Sequence, residues 1–194
     1  MDTTTKQKMA ETLKMKTAFV KWAEANAIEL PDLKNINLEL VERSCCFTGH
    51  RQIGMPEREL ADKVLKLIER AVKEGYTHFI CGGALGFDTI AAEQVLFLKS
   101  ARSDITLEIV APCNDQDKKW SDKQKRRYKA ILEEADVRTI RDRPYNRYCM
   151  KWRNELMVWK SSLVIAYYIE GNVGGTKNTL DFATKNKRGI LYVK

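Results

Sequence analysis

The chain has 194 residues, 44% of them hydrophobic and 31% charged, and a formal net charge of +8. That length suits one compact domain with an appendage, not two full domains, and the composition excludes a disordered or membrane-embedded chain. No apolar run approaches the ~20 residues that span a bilayer, and Met1 to Lys16 is polar where a signal peptide is apolar, so a cytoplasmic protein with no membrane partner is expected.

In chain order, Thr5 to Asn26 carries Met9, Leu13, Val20 and Trp22 or Ala23 on one stripe of an amphipathic helix, which Pro31 ends. A shorter helical turn follows at 37–42, so residues 1–42 read as an N-terminal helical extension that docks on the main domain or on a partner. From residue 43 to 194 short apolar runs alternate with helical periodicity, the pattern of parallel βαβ units. Strands are predicted at 44–48, 78–81, 105–111, 137–140, 163–168 and 190–193. Most are continuously apolar, as strands covered on both faces must be. Helices are predicted at 56–73, 88–99, 121–135, 150–160 and 176–187; Pro56 opens the first of them, Leu60, Val64, Leu67, Ile68 and Ala71 form its inner face, and Gly75 stops it. The fold class is therefore α/β, a Rossmann-like parallel sheet flanked by helices, with the N-terminal extension added. The regions 112–120 and 141–149 are turn-rich.

Five cysteines, at 45, 46, 81, 113 and 149, have no zinc-site spacing; they read as reduced thiols, and no metal or cofactor is implied. Between Lys118 and Arg153 stand 13 basic and 5 acidic residues, so the whole positive excess sits in one segment. Such a segment suits an anionic partner, although a charge run is as often plain solvated surface.

An open parallel sheet binds its ligand outside the C-terminal ends of its strands. Three such ends carry unusual residues: Thr48-Gly49-His50-Arg51, Gly82-Gly83-Ala84-Leu85-Gly86-Phe87-Asp88, and Gly171-Asn172-Val173-Gly174-Gly175-Thr176. Glycine brings backbone amides within reach of an anion, and the helix that follows offers unpaired N–H groups and a partial positive charge. The candidate ligand-binding residues are Gly49, His50, Arg51, Gly82, Gly83, Leu85, Gly86, Asp88, Arg153, Asn154, Gly174, Gly175 and Thr176. Asp88 either favours its helix dipole or also accepts ribose hydroxyls. His50 and Arg51 supply cationic donors suited to phosphate. Arg153 and Asn154, early in a helix of the basic segment, read as ligand-facing. Trp120 is a base-stacking platform or a core anchor, with the anchor favoured.

These strings resemble the YpsA-like branch of the SLOG superfamily, named for the Smf/DprA and LONELY GUY proteins. The resemblance covers about 150 residues from Cys45 onward. It rests on TGHR (48–51), GGALGFD (82–88) followed by AAE (91–93), Pro112, Gln116 and Trp120, RPY (143–145), RN (153–154) and GGT (174–176). It implies glycine turns that bind nucleotides or their derivatives, with ADP-ribose-like and cyclic nucleotide signals among the ligands. LONELY GUY proteins are phosphoribohydrolases whose G-G-x-G-T-x-x-E turn ends in a glutamate that supports catalysis. Thr179 stands at that place here, and threonine neither stabilises a cationic sugar nor activates water well.

The leading expectation is therefore a sensor or sequestering protein for an ADP-ribose or cyclic ADP-ribose type of ligand. A nucleoside-monophosphate phosphoribohydrolase or ADP-ribose-metabolising hydrolase ranks below it for want of the glutamate. A single-stranded nucleic-acid binder is the third reading, drawn from the basic segment with Trp120, Tyr128, Tyr145, Tyr148 and Trp152 interleaved among its cations. The resemblance and the aromatic-rich stretch 144–159 favour a homo-oligomer.

Overall fold

The computed structural model describes residues 14, 17–22, 24–25, 37–141 and 144–194, Leu38 as backbone alone. Met9, Leu13, Ala23, Pro31 and Arg143, on which parts of the sequence reading rest, lie outside the described residues. From residue 37 the order is α1 (Leu38–Glu42), β1 (Ser44–Gly49), α2 (Glu57–Lys73), β2 (His78–Cys81), α3 (Phe87–Lys99), β3 (Thr106–Ala111), α4 (Asp122–Glu134), β4 (Val137–Ile140), α5 (Cys149–Trp159), β5 (Leu163–Tyr167), α6 (Gly175–Lys185) and β6 (Gly189–Tyr192). No helix among the described residues is long and apolar enough to cross a membrane.

The six strands form one sheet in the order β4-β3-β2-β1-β5-β6, with every neighbouring pair parallel. The α/β, Rossmann-like class expected from the sequence is thus present. Alternate residues of each strand enter different cores. Cys45, Phe47, Phe79, Leu107 and Ile165 join Leu60, Val64 and Ile68 of α2, Ile90 of α3 and Ile131 of α4 on one face. Cys46, Ile80, Val110, Val164 and Ala166 join Trp152, Leu156 and Trp159 of α5 and Leu180 of α6 on the other. This two-sided burial is why the strands read as unbroken apolar runs; each fully buried Leu, Ile or Phe contributes roughly 1.5–3 kcal/mol. The outermost strand β4 is different: Val137 and Ile140 are exposed, because an edge strand has a neighbour on one side only.

Local chemistry sets the helix ends. Pro56 precedes α2, whose first turn holds Glu57 and Glu59 and whose last turn holds Arg70 and Lys73, each charge complementing the helix dipole. At α4, Ser121 and Gln124 form a reciprocal capping box. Residues 17–22 are helical and lie on the second face: Phe19 is buried, its ring 5.4 Å from that of Trp159 and 5.6 Å from that of Trp22. The Trp22 indole N–H donates to Glu155.

Ser44, Thr48, His78 and Glu108 are polar strand residues that are nonetheless buried, and Glu108 is the carboxylate among them. Glu108, in the middle of β3, is buried between His78 Nε2 at 3.0 Å, Thr139 Oγ1 at 2.6 Å and the Lys160 ammonium. Burial alone would push its carboxyl up; hydrogen bonds from His78, Lys160 and Thr139 and the charge of Lys160 outweigh that and hold it at about 2. All five cysteines are free and buried. Burial drives the thiols of Cys45 and Cys81 well above their ordinary value and that of Cys46 to about 12, as for packed, unreactive groups.

Candidate functional site

Successive strands β1 to β4 run outward on one side of β1, whereas β5 and β6 lie on its other side, so the direction of winding reverses between β1 and β5. At that reversal the loops leaving neighbouring strands part and open a crevice. The three glycine-rich turns leave β2, β1 and β5, which are adjacent, and all three leave at C-terminal ends. They converge on one edge of the sheet.

The first two turns are packed against each other by the protein itself. A side chain at Gly49 would run into the Phe87 ring, and the Phe87 amide donates to the His50 carbonyl at 3.1 Å. Gly86 has φ +82°, and a β-carbon there would lie 2.2 Å from the Arg51 carbonyl oxygen, an approach that only glycine allows. At Gly82 the space of a missing side chain is taken by the Arg153 guanidinium, and at Gly83 by Tyr128, whose Cε2 would lie 2.8 Å from an added β-carbon. Gln116 Nε2 braces the same turn by donating to the Gly83 carbonyl at 3.0 Å. Leu85 beside them is half-buried.

Arg153 and Asp88 form the centre of this arrangement. From α5, Arg153 Nη1 donates to the Gly82 carbonyl at 2.5 Å and lies 3.4 Å from Asp88 Oδ2, while Nε donates to Asn154 Oδ1 at 2.7 Å. Asp88 Oδ2 also accepts the Ala84 amide at 3.2 Å. Both side chains are only 8% exposed. Burial raises the Asp88 pKa, and the Arg153 charge, the Ala84 amide and the Arg51 charge pull against it. Asp88 thus serves the start of α3 and the fold of its own turn, and Arg153 serves β2 and α3 as a positioning group.

The third turn is open. Gly171 and Gly174 have nothing within 4 Å of an added β-carbon, and Gly175 has only Asn154 Nδ2 at 3.7 Å. Helix α6 starts from Gly174 at φ +134° without a side-chain cap, and the first amide bonded back within the helix is that of Asn178, to the Gly174 carbonyl at 2.9 Å. The amides of Gly175, Thr176 and Lys177 therefore form a bare helix N-terminus. Gly174 and Gly175 are exposed; Thr176 is buried. Thr179 is buried too, and its hydroxyl donates to the Gly175 carbonyl at 2.7 Å, so it holds the turn's shape.

Between the open turn and the β1 loop stands a wall of rings. His50 stacks on Tyr168 at 5.6 Å between centroids and meets Tyr167 edge-on at 6.3 Å. Tyr168 donates to the Asn172 carbonyl at 2.9 Å, and the Tyr167 hydroxyl accepts the Gly54 amide at 3.0 Å. His50 Nε2 is buried without a hydrogen-bond partner, and burial lowers the imidazole pKa. Arg51 is exposed beside it. The sequence reading missed Tyr168, for which the available signal was the Tyr-Tyr pair closing an apolar strand; it named Gln116 as part of the family motif and Tyr128 as a stacking surface, but neither as a brace of the Gly83 turn. Trp120 packs edge-on against Tyr128 at 5.3 Å and against the first core, the anchor of its two readings.

Comparison with known proteins agrees with this fold. The family model YpsA, described as the YspA SLOG family, matches residues 45–192. The chain belongs to that family. It is 33% identical over 146 residues to a UPF0398 protein of Halalkalibacterium halodurans, covering 74% of this chain and 75% of the relative. To the SPbeta prophage-derived protein YoqJ of Bacillus subtilis it is 36% identical over 144 residues, covering 68% and 84%. Among solved structures it is similar to DNA processing protein A of Helicobacter pylori, with TM-score 0.56 and 20% identity, covering 80% of this chain and 66% of that one. DNA processing protein A of Streptococcus pneumoniae has the same TM-score at 19% identity, with 52% of its length covered. The chain thus spans less than two thirds of either DNA processing protein, and at these identities the likeness is one of fold.

Proposed function

We propose that this SLOG protein binds a phosphate-bearing, nucleotide-derived ligand of the ADP-ribose or cyclic ADP-ribose kind and leaves it intact, acting as a sensor or a sink. The observation that carries the reading is the uncapped start of α6, where a β-carbon added at the exposed Gly174 or Gly175 would find nothing within 4 Å except Asn154 Nδ2. Three unpaired N–H groups there suit a phosphate, with Arg51 and the unpartnered His50 Nε2 as flanking donors. The packed turns of β1 and β2 hold these groups in register instead of contacting phosphate themselves.

Cleavage ranks below binding. Thr179 holds the position of the LONELY GUY glutamate and spends its hydroxyl on Gly175, and Asp88 is committed to Arg153 and Ala84. The test is to incubate the purified chain with AMP, ADP-ribose, cyclic ADP-ribose and NAD, record thermal shifts, and chromatograph the ligand afterwards. Recovery of an unchanged, tightly bound compound supports a binder; a free base or sugar phosphate overturns it in favour of a hydrolase; no shift with any of the four overturns both.

A single-stranded nucleic-acid partner is a second reading, favoured by the basic segment and by exposed Tyr145 and Tyr148, the latter under Arg147 at 4.5 Å. The Helicobacter pylori relative in fold binds single-stranded DNA. Steep loss of affinity with rising salt marks that partner, whereas one small ligand responds weakly. The same exposed tyrosines support a homo-oligomer, which light scattering on the eluted protein tests.

A further inference from the structure

A second cavity opens beyond the Gly83 turn, at the C-terminal ends of β3 and β4 against α4. Its volume is about 310 Å³, at the lower end of the range that holds small organic ligands. Leu132, Ile140 and the Tyr128 ring give it apolar walls suited to a flat ring. The amide of Gln116 adds a group that both donates and accepts, as the polar edge of a nucleobase does. Three cations of one helix, Lys125, Arg126 and Lys129, line it together with a single carboxylate, Asp117.

These cations line the cavity and, unlike Arg127, Arg153 and Arg141, are unspent. Arg127 is committed to Glu93 and Glu57, Arg153 to Asp88, and Arg141 lies over the Trp152 ring at 5.1 Å. Lys129 has only a loose pair with Glu133 at 3.7 Å, and among the described residues neither Lys125 nor Arg126 is in an ion pair. Spacings of three and four residues put Lys129 on the same helix face as Arg126 and Lys125. An apolar slot rimmed by a cluster of uncommitted cations is the form complementary to a planar ring carrying an anion.

We propose that this cavity is a nucleoside-phosphate site, its apolar walls taking the base and Lys125, Arg126 and Lys129 taking the phosphate. It is separate from the open turn of α6, although Gln116 and Tyr128 line the cavity and also touch Gly83, so the two regions share the β2 turn as a wall. The nucleoside phosphate comes either from a free mononucleotide or from one unit of a single strand; the chemistry at the cavity is the same.

The test uses the full chain with two probes of one base, AMP and fluorescein-labelled oligodeoxyadenylate, by calorimetry and anisotropy. Two variants alter the cavity by different means: Ile140→Trp fills it from the exposed edge strand at constant charge, and Lys125→Ala with Arg126→Ala removes two cations. Each is expected to weaken binding about tenfold or more. Lys118→Ala with Lys119→Ala, exposed cations outside the cavity, is expected to change it less than about twofold, and Gly175→Val to leave this binding event in place. Saturable AMP binding identifies the free nucleotide as the source, and binding of the oligonucleotide alone identifies the strand. Failure of both probes to bind, or equal losses in the Lys118/Lys119 and Lys125/Arg126 pairs, overturns the site. Loss in Gly175→Val with none in the cavity variants overturns it as well and leaves the reading of the α6 turn standing. If Ile140→Trp proves unfolded by circular dichroism, the Lys125/Arg126 and Lys118/Lys119 pairs decide alone.

Discussion

A methyl group added at Gly82 and one added at Gly175 should have opposite consequences. At Gly82 the new carbon overlaps the Arg153 guanidinium, a buried group fixed by the Gly82 carbonyl, Asp88 and Asn154. Arg153 must leave, and Asp88 is then a buried carboxylate without its cation, a loss of about 3–5 kcal/mol. Against a typical domain stability of about 5–15 kcal/mol, Gly82→Ala should lower Tm by roughly 6–20 °C. At Gly175 the carbon meets only Asn154 Nδ2 at 3.7 Å, an ordinary contact, and this first residue of α6 has no positive φ that alanine would strain. Gly175→Ala should therefore melt close to the wild-type temperature. Its ligand, however, loses the close approach to the amides, and if one or two charge-assisted bonds of about 1.5–3 kcal/mol each are lengthened, affinity falls at least about tenfold. Scanning calorimetry and titration with ADP-ribose check both arms. Equal melting of the two variants would falsify the division into packed and open glycines; unchanged affinity in Gly175→Ala would remove α6 from the site.

Three further outcomes follow from the same geometry. Glu108 is held at about 2, below the ordinary carboxylate value of 4.5, so its stabilisation is complete above pH 4.5 and is lost as pH falls toward 2; at 1.36 kcal/mol per unit this is about 3 kcal/mol, and urea titrations of wild type and Glu108→Gln should converge by that amount on acidification, a constant gap counting against the network. Burial keeps His50 below its ordinary value of 6.5, so a phosphate placed at Nε2 must raise it and take up a proton; affinity should grow from pH 7.5 to 5.5, and calorimetry in buffers of different ionisation enthalpy should register the uptake, absent in His50→Gln. Phe19→Ala leaves a hole against Trp159 worth about 3–5 kcal/mol and should depress Tm correspondingly; an unaltered Tm would mean that the N-terminal segment adds nothing to the second core.

Much of the architecture was legible because it is written locally. Runs such as 45–47 and 163–167 are short and apolar at consecutive positions, as a strand covered on both faces requires. The convergence of the turns was legible too, since parallel connectivity places every strand-to-helix loop on one edge. What could not be read was the reason for each glycine. Gly82 and Gly175 look alike in a sequence, yet one is emptied by an arginine 71 residues away and the other faces solvent. Gly83 owes its missing side chain to Tyr128, and Glu108 owes its charge to His78 and Lys160, partners that only the packed sheet brings together. Local pattern carries secondary structure; it does not carry which distant side chain fills a gap.

That distinction bears on the chemistry. N-glycosidic cleavage needs a carboxylate free to face a sugar, and the carboxylate that the glycine turns supply is Asp88. Its ion pair with Arg153 is what stitches α5 to β2 and α3, so releasing it to act on a substrate would expose a buried guanidinium and loosen the packed half of the crevice. A binding protein has no such conflict: it keeps Asp88 and Arg153 as internal struts and presents main-chain amides, which need no deprotonation and no movement. On the proposed reading the turn of α6 holds an anion still, and a catalytic role would need a carboxylate other than Asp88. Release of a free base or sugar phosphate by the wild-type chain, lost in Gly175→Val, is the result that would restore the hydrolase.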